Sequence, residues 1–298
     1  MSERFDFGEG LLARLEGHTQ RFEVAAGRSV ACDLRGQTDG ARKLFWFHGT
    51  PSCRLEAVLW DRFAHDAGYG LAAMDRPGLG GSDPRPHASM TDVADDALRV
   101  ADRLGWDRFS VAGGSGGGPF VLALAHQAPD RVERAVALAC AGAFELAEVV
   151  PSWADWASTW AVRHPAWLRR YFEALRLGAR VPESVTTWLA RWLGPALPGE
   201  HPELAEVFRR CLNEVFAQGV EGAVQDLTTL HRPWGFSLEA IRAPVTLVAG
   251  TVDTFVPFSY SEAIARRIPE STVEVALGDG HFETIFDRLR LAQLLPAD

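Results

Sequence analysis

Long apolar runs are missing from this chain. No stretch approaches the roughly 18 consecutive apolar residues that a membrane-spanning helix needs. The opening Met-Ser-Glu-Arg-Phe-Asp-Phe-Gly-Glu-Gly lacks the apolar core of a secretion signal, so a cytoplasmic protein is expected. Positive charge is also in short supply: 30 Lys and Arg stand against 39 Asp and Glu, a formal net charge of −9. A field of that sign repels phosphate backbones and anionic membranes, which sets nucleic-acid binding aside. Cysteine is sparse and unpatterned. Cys32, Cys53, Cys140 and Cys211 contain no Cys-x-x-Cys pair and make no disulfide framework; small buried thiols are expected. No His/Cys/Asp cluster has ligand spacing, so no metal is expected.

What the chain does have is apolar bulk. Of 298 residues, 47% are hydrophobic and 23% charged, enough for one large α/β domain or a core domain with a sizeable insertion. Short β-rich runs recur at Ser29–Leu34, Lys43–Phe47, Gly70–Met74, Phe109–Ala112, Ala135–Cys140, Val245–Val248 and Val273–Ala276. Most are continuously apolar, as strands buried on both faces of a parallel sheet are. Helical patterns lie between them, at Thr91–Leu104 and Gly117–Gln127 for example. This alternation predicts an α/β fold, a mostly parallel central sheet flanked by helices. From Gly142 to Leu238 only helical patterns appear, broken by Pro151, Pro165, Pro182 and the turn-rich Gly194–Pro202. Roughly 95 residues is far longer than an ordinary connection. The expected organisation is a core domain of residues 1–141 and 239–298, with 142–238 inserted as a helical cap.

The most informative run is Val111-Ala112-Gly113-Gly114-Ser115-Gly116-Gly117-Gly118-Pro119. It contains Gly-x-Ser-x-Gly between a predicted strand and a predicted helix, the context of a nucleophile elbow centred on Ser115. A side chain at Gly113 or Gly117 would strike the neighbouring strand or helix. The competing reading, a phosphate-cradling Gly-rich loop, is disfavoured. Such a loop sits on the first strand of a nucleotide fold, and no Gly-Lys-Ser/Thr is present.

Further along, Phe45-Trp46-Phe47-His48-Gly49-Thr50-Pro51 and Asp75-Arg76-Pro77-Gly78-Leu79-Gly80-Gly81-Ser82-Asp83 each follow a predicted strand. With these elements and the elbow, the chain resembles the capped α/β-hydrolase family over nearly its whole length. By that resemblance the backbone N–H groups of Thr50 and Gly116 form an oxyanion hole, each donor contributing roughly 3–4 kcal/mol at the transition state. His48 and the Asp75–Asp83 loop are expected to be structural. His281, in Leu277-Gly278-Asp279-Gly280-His281-Phe282, falls where the family carries its base. Asp253 lies in Gly250-Thr251-Val252-Asp253-Thr254-Phe255-Val256-Pro257, which resembles the family's Gly-x-x-Asp-x-x-Val-Pro element. Asp253 is therefore the expected acid, ahead of Asp279, expected to point to solvent, and Glu145, near an alternative acid position. The seven histidines elsewhere, His48 aside, are expected to be solvated.

The implied chemistry is acyl transfer from a small-molecule substrate with no cofactor: Ser115 attacks, His281 moves the proton, Asp253 holds His281. Serine at the nucleophile position separates this chain from epoxide hydrolases and haloalkane dehalogenases, which use aspartate there. The motifs are similar to those of esterases and of proline iminopeptidases. From the latter the chain departs with Thr50 for a glycine and Gly116 for a tryptophan. An aminopeptidase also needs an acidic group in the cap, for which Glu183 and Glu221 are candidates. Carbon–carbon hydrolases, lyases, cyclases and ligand receptors on the same fold stay open. In the expected cap, Trp153, Trp156 and Trp160 are spaced three and four apart and share one helix face. That face is either the cap's own core or an aromatic roof over Ser115. Arg169, Arg170 and Arg176, opposed by Glu173 alone, read as a solvated face or as a site for an acidic substrate group. A second copy of the chain is carried as a candidate partner.

Overall fold

The computed structural model describes residues 3–142, 151–179 and 202–295. Eight strands form one sheet. They are β1 (Thr19–Ala25), β2 (Arg28–Gly36), β3 (Arg42–Phe47), β4 (Tyr69–Met74), β5 (Phe109–Gly114), β6 (Val132–Leu138), β7 (Val245–Gly250) and β8 (Ser271–Ala276). Their spatial order is β1-β2-β4-β3-β5-β6-β7-β8. β1 pairs antiparallel with β2, and β2 antiparallel with β4, whereas every later pair is parallel. The mostly parallel sheet flanked by helices is thus present, with one strand, β1, that the sequence patterns did not show.

Alternation of side chains across the pleat divides the core between the two faces. Along β3, Leu44 and Trp46 join one buried cluster and Phe45 and Phe47 the other. On one side Trp46 packs against Trp60 of α1 (Val58–Asp66), ring centroids 4.8 Å apart. On the other, Phe47 meets Phe120 of α3 (Gly118–Gln127) at 6.0 Å. Before it, α2 (Met90–Arg103) starts at a Ser89–Asp92 capping box, two orphan backbone donors satisfied reciprocally.

Between residues 142 and 238 the described elements are helices: α4 (Trp153–Arg163), α5 (Pro165–Gly178), α6 (Pro202–Val215) and α7 (Glu221–Leu230). Their apolar faces are not a separate core. Leu168, Phe172, Leu204, Val207, Phe216 and Val224 belong to the same buried cluster as Trp46 and Trp60. The chain then completes the sheet with β7 and β8, between which lies α8 (Phe258–Ala265), followed by α9 (His281–Phe286) and α10 (Arg288–Leu294). Among the described residues no helix is long and apolar enough to cross a membrane, and no group of three or more His, Cys, Asp or Glu is placed to hold a metal ion.

The strand order reverses around β3, whose neighbours β4 and β5 lie on opposite sides. A crevice at the carboxyl ends of the strands is expected at such a switch point. The loops after β3, β4, β5, β7 and β8 all begin at that end of the sheet, and they carry Thr50, Arg76, Ser115, Asp253 and His281.

Candidate active site

Ser115 follows β5 directly and has φ +53°, a left-handed conformation that a side-chain-bearing residue adopts only when its surroundings hold it there. The flanking glycines show what holds it. A Cβ on Gly117 would lie 2.2 Å from the Phe47 carbonyl oxygen, and one on Gly113 2.8 Å from the same atom. The elbow can therefore press onto β3 only with glycine at both positions. A Cβ on Gly116 would lie 2.5 Å from Thr50 Oγ1, so the loop after β3 and the elbow are in close contact at the two residues expected to donate backbone N–H groups. The Ser115 carbonyl accepts from Ala141 N at 3.1 Å, tying the turn to the chain after β6.

His281 opens α9, and its Nδ1 lies 2.8 Å from Asp253 Oδ2. The other carboxylate oxygen, Oδ1, accepts from the backbone N–H groups of Phe255 at 2.8 Å and Val256 at 2.9 Å. A carboxylate is acceptor-only, so Nδ1 carries a proton, and in the neutral imidazole Nε2 is then the ring's acceptor. The loop's backbone fixes the carboxylate, and the carboxylate fixes the imidazole. Ile285, one turn along α9 from His281, fills the space where a Cβ on Gly114 would fall, 2.5 Å from its Cγ2. The helix bearing His281 is thereby seated against the residue preceding Ser115.

The rival acids are placed differently. Asp279 is buried and does not point to solvent as expected. It accepts from Arg4 at 2.5 Å and Arg290 at 2.8 Å. Burial alone would raise its pKa, but these two guanidinium groups hold it below the usual carboxylate range. Glu145 lies outside the described residues, as does Glu183. Glu221 forms a bidentate pair with Arg169, at 2.6 and 3.1 Å. Arg176 pairs with Glu173 at 3.1 Å and Arg170 sits over the Trp167 ring at 5.6 Å, so all three arginines have partners within the helical segment itself.

His48 is buried, with Nδ1 2.9 Å from the Gly49 carbonyl oxygen. Burial, assisted by the Arg76 charge, pushes its pKa well below the ordinary value, and it is neutral. Asp75 accepts from Arg54 N at 2.7 Å and Gly81 N at 2.8 Å, holding its loop in shape. Of the histidines expected to be solvated, His231 is not: Nε2 lies 3.0 Å from Ser158 Oγ and Nδ1 2.9 Å from the Leu227 carbonyl oxygen. All four cysteines are free and buried. Burial pushes the Cys32, Cys53 and Cys140 thiols up, away from thiolate chemistry.

The tryptophan face is neither wholly core nor wholly roof. Trp153, Trp156 and Trp160 are 61%, 73% and 48% exposed, so that face is not the cap's own core. Trp153 packs on Phe255 at 5.5 Å, and Phe255 on His281 at 5.4 Å. Trp160 instead stacks on His164 at 4.3 Å. Among the described ring contacts, Trp153 is the one of these three tryptophans linked to the imidazole, through Phe255.

Of three charged side chains near the elbow, the sequence singles out neither Glu56 nor Asp226, and Arg76 only as part of a loop expected to be structural. Glu56, buried, accepts from Trp46 Nε1 at 3.0 Å and from Gly49 N at 3.2 Å; burial raises its pKa. Arg76 and Asp226, 150 positions apart, form a buried pair at 2.5 Å beside Thr50. Neither lies in a motif that names such a role, and only folding brings α7 against the loop after β4.

Known proteins share this fold. Residues 44–287 match the model of the alpha/beta hydrolase fold family. The protein named "Putative carbamate hydrolase RutD" from Caulobacter sp. (strain K31) is 29% identical over 210 residues, covering 68% of this chain and 69% of that one. A thermophilic esterase from Thermogutta terrifontis superposes with a TM-score of 0.66 at 21% identity, covering 94% of this chain and 97% of its own. A hydrolase from Pseudomonas aeruginosa PA01 reaches a TM-score of 0.68 at 20% identity, with 94% and 99% covered. With five-sixths of its length matched and the elbow, strand order and sheet-end loops in place, this chain belongs to the alpha/beta hydrolase fold family.

Proposed function

We propose that this protein is a serine hydrolase that cleaves a carboxylic ester, or a related acyl bond, of a small and largely apolar substrate. The observation that carries the reading is the Asp253–His281 hydrogen bond, with the second carboxylate oxygen occupied by two backbone amides. That leaves an imidazole with its tautomer fixed at the end of the sheet where Ser115 sits in a strained turn. In this reading His281 Nε2 takes the Ser115 hydroxyl proton as Oγ attacks the carbonyl carbon. The N–H groups of Thr50 and Gly116 receive the negative charge that develops on oxygen. The imidazolium returns its proton to the leaving group, and water activated by the same base hydrolyses the acyl-enzyme. Residues 142–238 act as the lid over this centre, with Trp153 reaching it through Phe255, whose ring contacts His281.

An aminopeptidase of the proline iminopeptidase kind fits less well. Glu221 is committed to Arg169, and a side chain at Gly116 would run into Thr50. The name of the Caulobacter relative brings carbamates into the range of acyl groups to be tried. The test is a panel of esters, thioesters, amides, carbamates and lactones, together with fluorophosphonate labelling of the wild type and of Ser115→Ala. Labelling at Ser115 and ester turnover that Ser115→Ala abolishes are expected; turnover undiminished in that variant would sink the proposal.

A further inference from the structure

Arg76 is a buried arginine whose guanidinium is divided between the loop expected to carry an oxyanion donor and Asp226 on α7. Its Nη1 donates to the His48 carbonyl at 2.6 Å, and its Nη2 to the Gly49 carbonyl at 2.9 Å and to Thr50 Oγ1 at 2.8 Å. Its Nε donates to Asp226 Oδ1 at 2.5 Å, and Nη2 also to Asp226 Oδ2 at 2.8 Å. The Thr50 hydroxyl in turn donates to Asp226 Oδ2 at 2.8 Å. The flat face of the guanidinium lies over the Phe120 ring, 4.7 Å from its centroid, on the helix that follows Ser115.

The Gly49 carbonyl is the decisive acceptor. It shares a peptide plane with the Thr50 N–H, and in a trans peptide the C=O and N–H point in opposite directions. Arg76 Nη2 and His48 Nδ1 both hold that oxygen on one side. Rotating the Thr50 N–H away from its set direction would break both bonds. Asp226 compensates the Arg76 charge and also orients the Thr50 hydroxyl that packs over Gly116. Asp226 belongs to α7, in the inserted helical segment, whereas Arg76, His48 and Thr50 belong to the sheet domain.

We propose that Arg76 and Asp226 are positioning residues that preset the direction of the Thr50 N–H, so that the inserted helical segment governs transition-state stabilisation at Ser115 through Asp226. This rests on the serine-hydrolase reading above. The pair touches no reacting atom; it acts through the peptide plane it holds. A structural role alone would be satisfied by any well-packed replacement, because exchanging a buried ion pair for apolar residues of similar volume is often neutral or stabilising. A positioning role would not.

The experiment compares Arg76→Met/Asp226→Leu with the wild type, with Asp226→Asn as the near-isosteric single variant. Ester kcat and KM, thermal melting and the affinity of a boronic acid that forms a tetrahedral adduct with the serine are measured for each. The double variant is expected to melt as a folded protein, with kcat down about 10- to 100-fold, less than a missing donor costs. KM should stay within about threefold, and boronic-acid affinity should fall by the same factor as kcat. Asp226→Asn should lose about tenfold in kcat. A folded double variant with wild-type kcat and boronic-acid affinity overturns the proposal. If the double variant does not fold, unchanged kcat in Asp226→Asn overturns it equally. Ser115→Ala is assayed in parallel: if that variant keeps turnover, the reading of the site has failed, whereas a dead Ser115→Ala beside fully active Arg76 and Asp226 variants fails the positioning claim alone.

Discussion

Asp253 and Asp279 are both buried and both lie on loops beside His281, yet their partners divide their chemistry. Asp253 gives one oxygen to the imidazole and the other to two backbone amides. Asp279 gives its carboxylate to Arg4 and Arg290. Asp253→Asn can present an amide N–H to Nδ1 and favour the wrong tautomer, so turnover should fall by up to about 10⁴. Asp279→Asn should leave turnover within about tenfold and lower stability instead, by roughly 1 kcal/mol, as the partly exposed Arg4 and the mostly buried Arg290 each lose one of their carboxylate partners. Steady-state kinetics and urea melts on the two variants separate these outcomes; a crippled Asp279→Asn with active Asp253→Asn would reverse the assignment. At Gly116, an added Cβ must displace Thr50 by several tenths of an ångström, since it would sit 2.5 Å from Oγ1 and 2.8 Å from Cβ. Gly116→Ala is expected to fold and to lose tenfold or more in kcat. Ser115, Asp253 and His281 were legible because each lies in a short run whose glycines and prolines mark a turn after a strand. Arg76 lies in such a run too, after β4, but its pairing with Asp226 was not legible. Their pairing depends on α7 docking beside the loop after β4, which no local pattern encodes.

At the scale of elements, α4 carries the most direct test of the proposed lid. Ser152 caps it through Asp155 and also donates to the Phe255 carbonyl at 2.8 Å, so the helix start is fastened to the loop that bears Asp253. Tyr260 of α8 donates to the same Asp155. This fastening brings the Trp153 ring to Phe255 and leaves Trp156, one turn on, exposed to solvent. Trp153→Ala should therefore lower kcat/KM for esters with an aromatic acyl group by about fivefold, about 1 kcal/mol of lost apolar contact. Trp156→Ala should change it little. Equal effects from the two variants, or a flat profile across acyl chain length, would show that the aromatic face does not meet the substrate. The three-and-four spacing of these tryptophans correctly placed them on one helix, but periodicity carries no information on which ring of an exposed face turns toward a neighbouring loop. The strand β1 was illegible for a related reason. Thr-Gln-Arg-Phe-Glu-Val-Ala is an edge strand mostly open to solvent, with only Val24 buried, so it lacks the continuous apolar run that marked the parallel strands.

For the whole molecule, the sheet domain is closed by residues near the two ends of the described chain. Phe5, Phe7, Leu11 and Leu15 share a buried cluster with Phe286, Leu291 and Leu295. Around it Arg4 donates to Asp287 at 2.7 Å and to Asp279 at 2.5 Å, and Arg288 donates to the Glu3 carbonyl at 2.8 Å. Asp279 begins the turn that delivers His281, so this clasp supports the site from behind. It also makes stability depend on acid. The Asp279 carboxyl is held below its ordinary pKa in the folded protein, whereas in the unfolded chain it titrates near 3.9. Its contribution is therefore fully present above about pH 4 to 5 and is lost as the pH falls through the lowered folded value. Arg4→Gln removes one of the two guanidinium groups that hold it there. Because Arg4 is partly exposed, the expected cost at pH 7 is modest, roughly 0.5–1 kcal/mol. That cost should shrink as the pH falls through the lowered folded value, because protonated Asp279 no longer offers Arg4 a charge, leaving Arg4 only its bond to Asp287. Urea melts of both proteins at pH 7, 5, 4 and 3 measure the difference directly. A gap that does not shrink at the acid end of the series would mean that Arg4 stabilises the clasp through Asp287 or by packing, and not through Asp279.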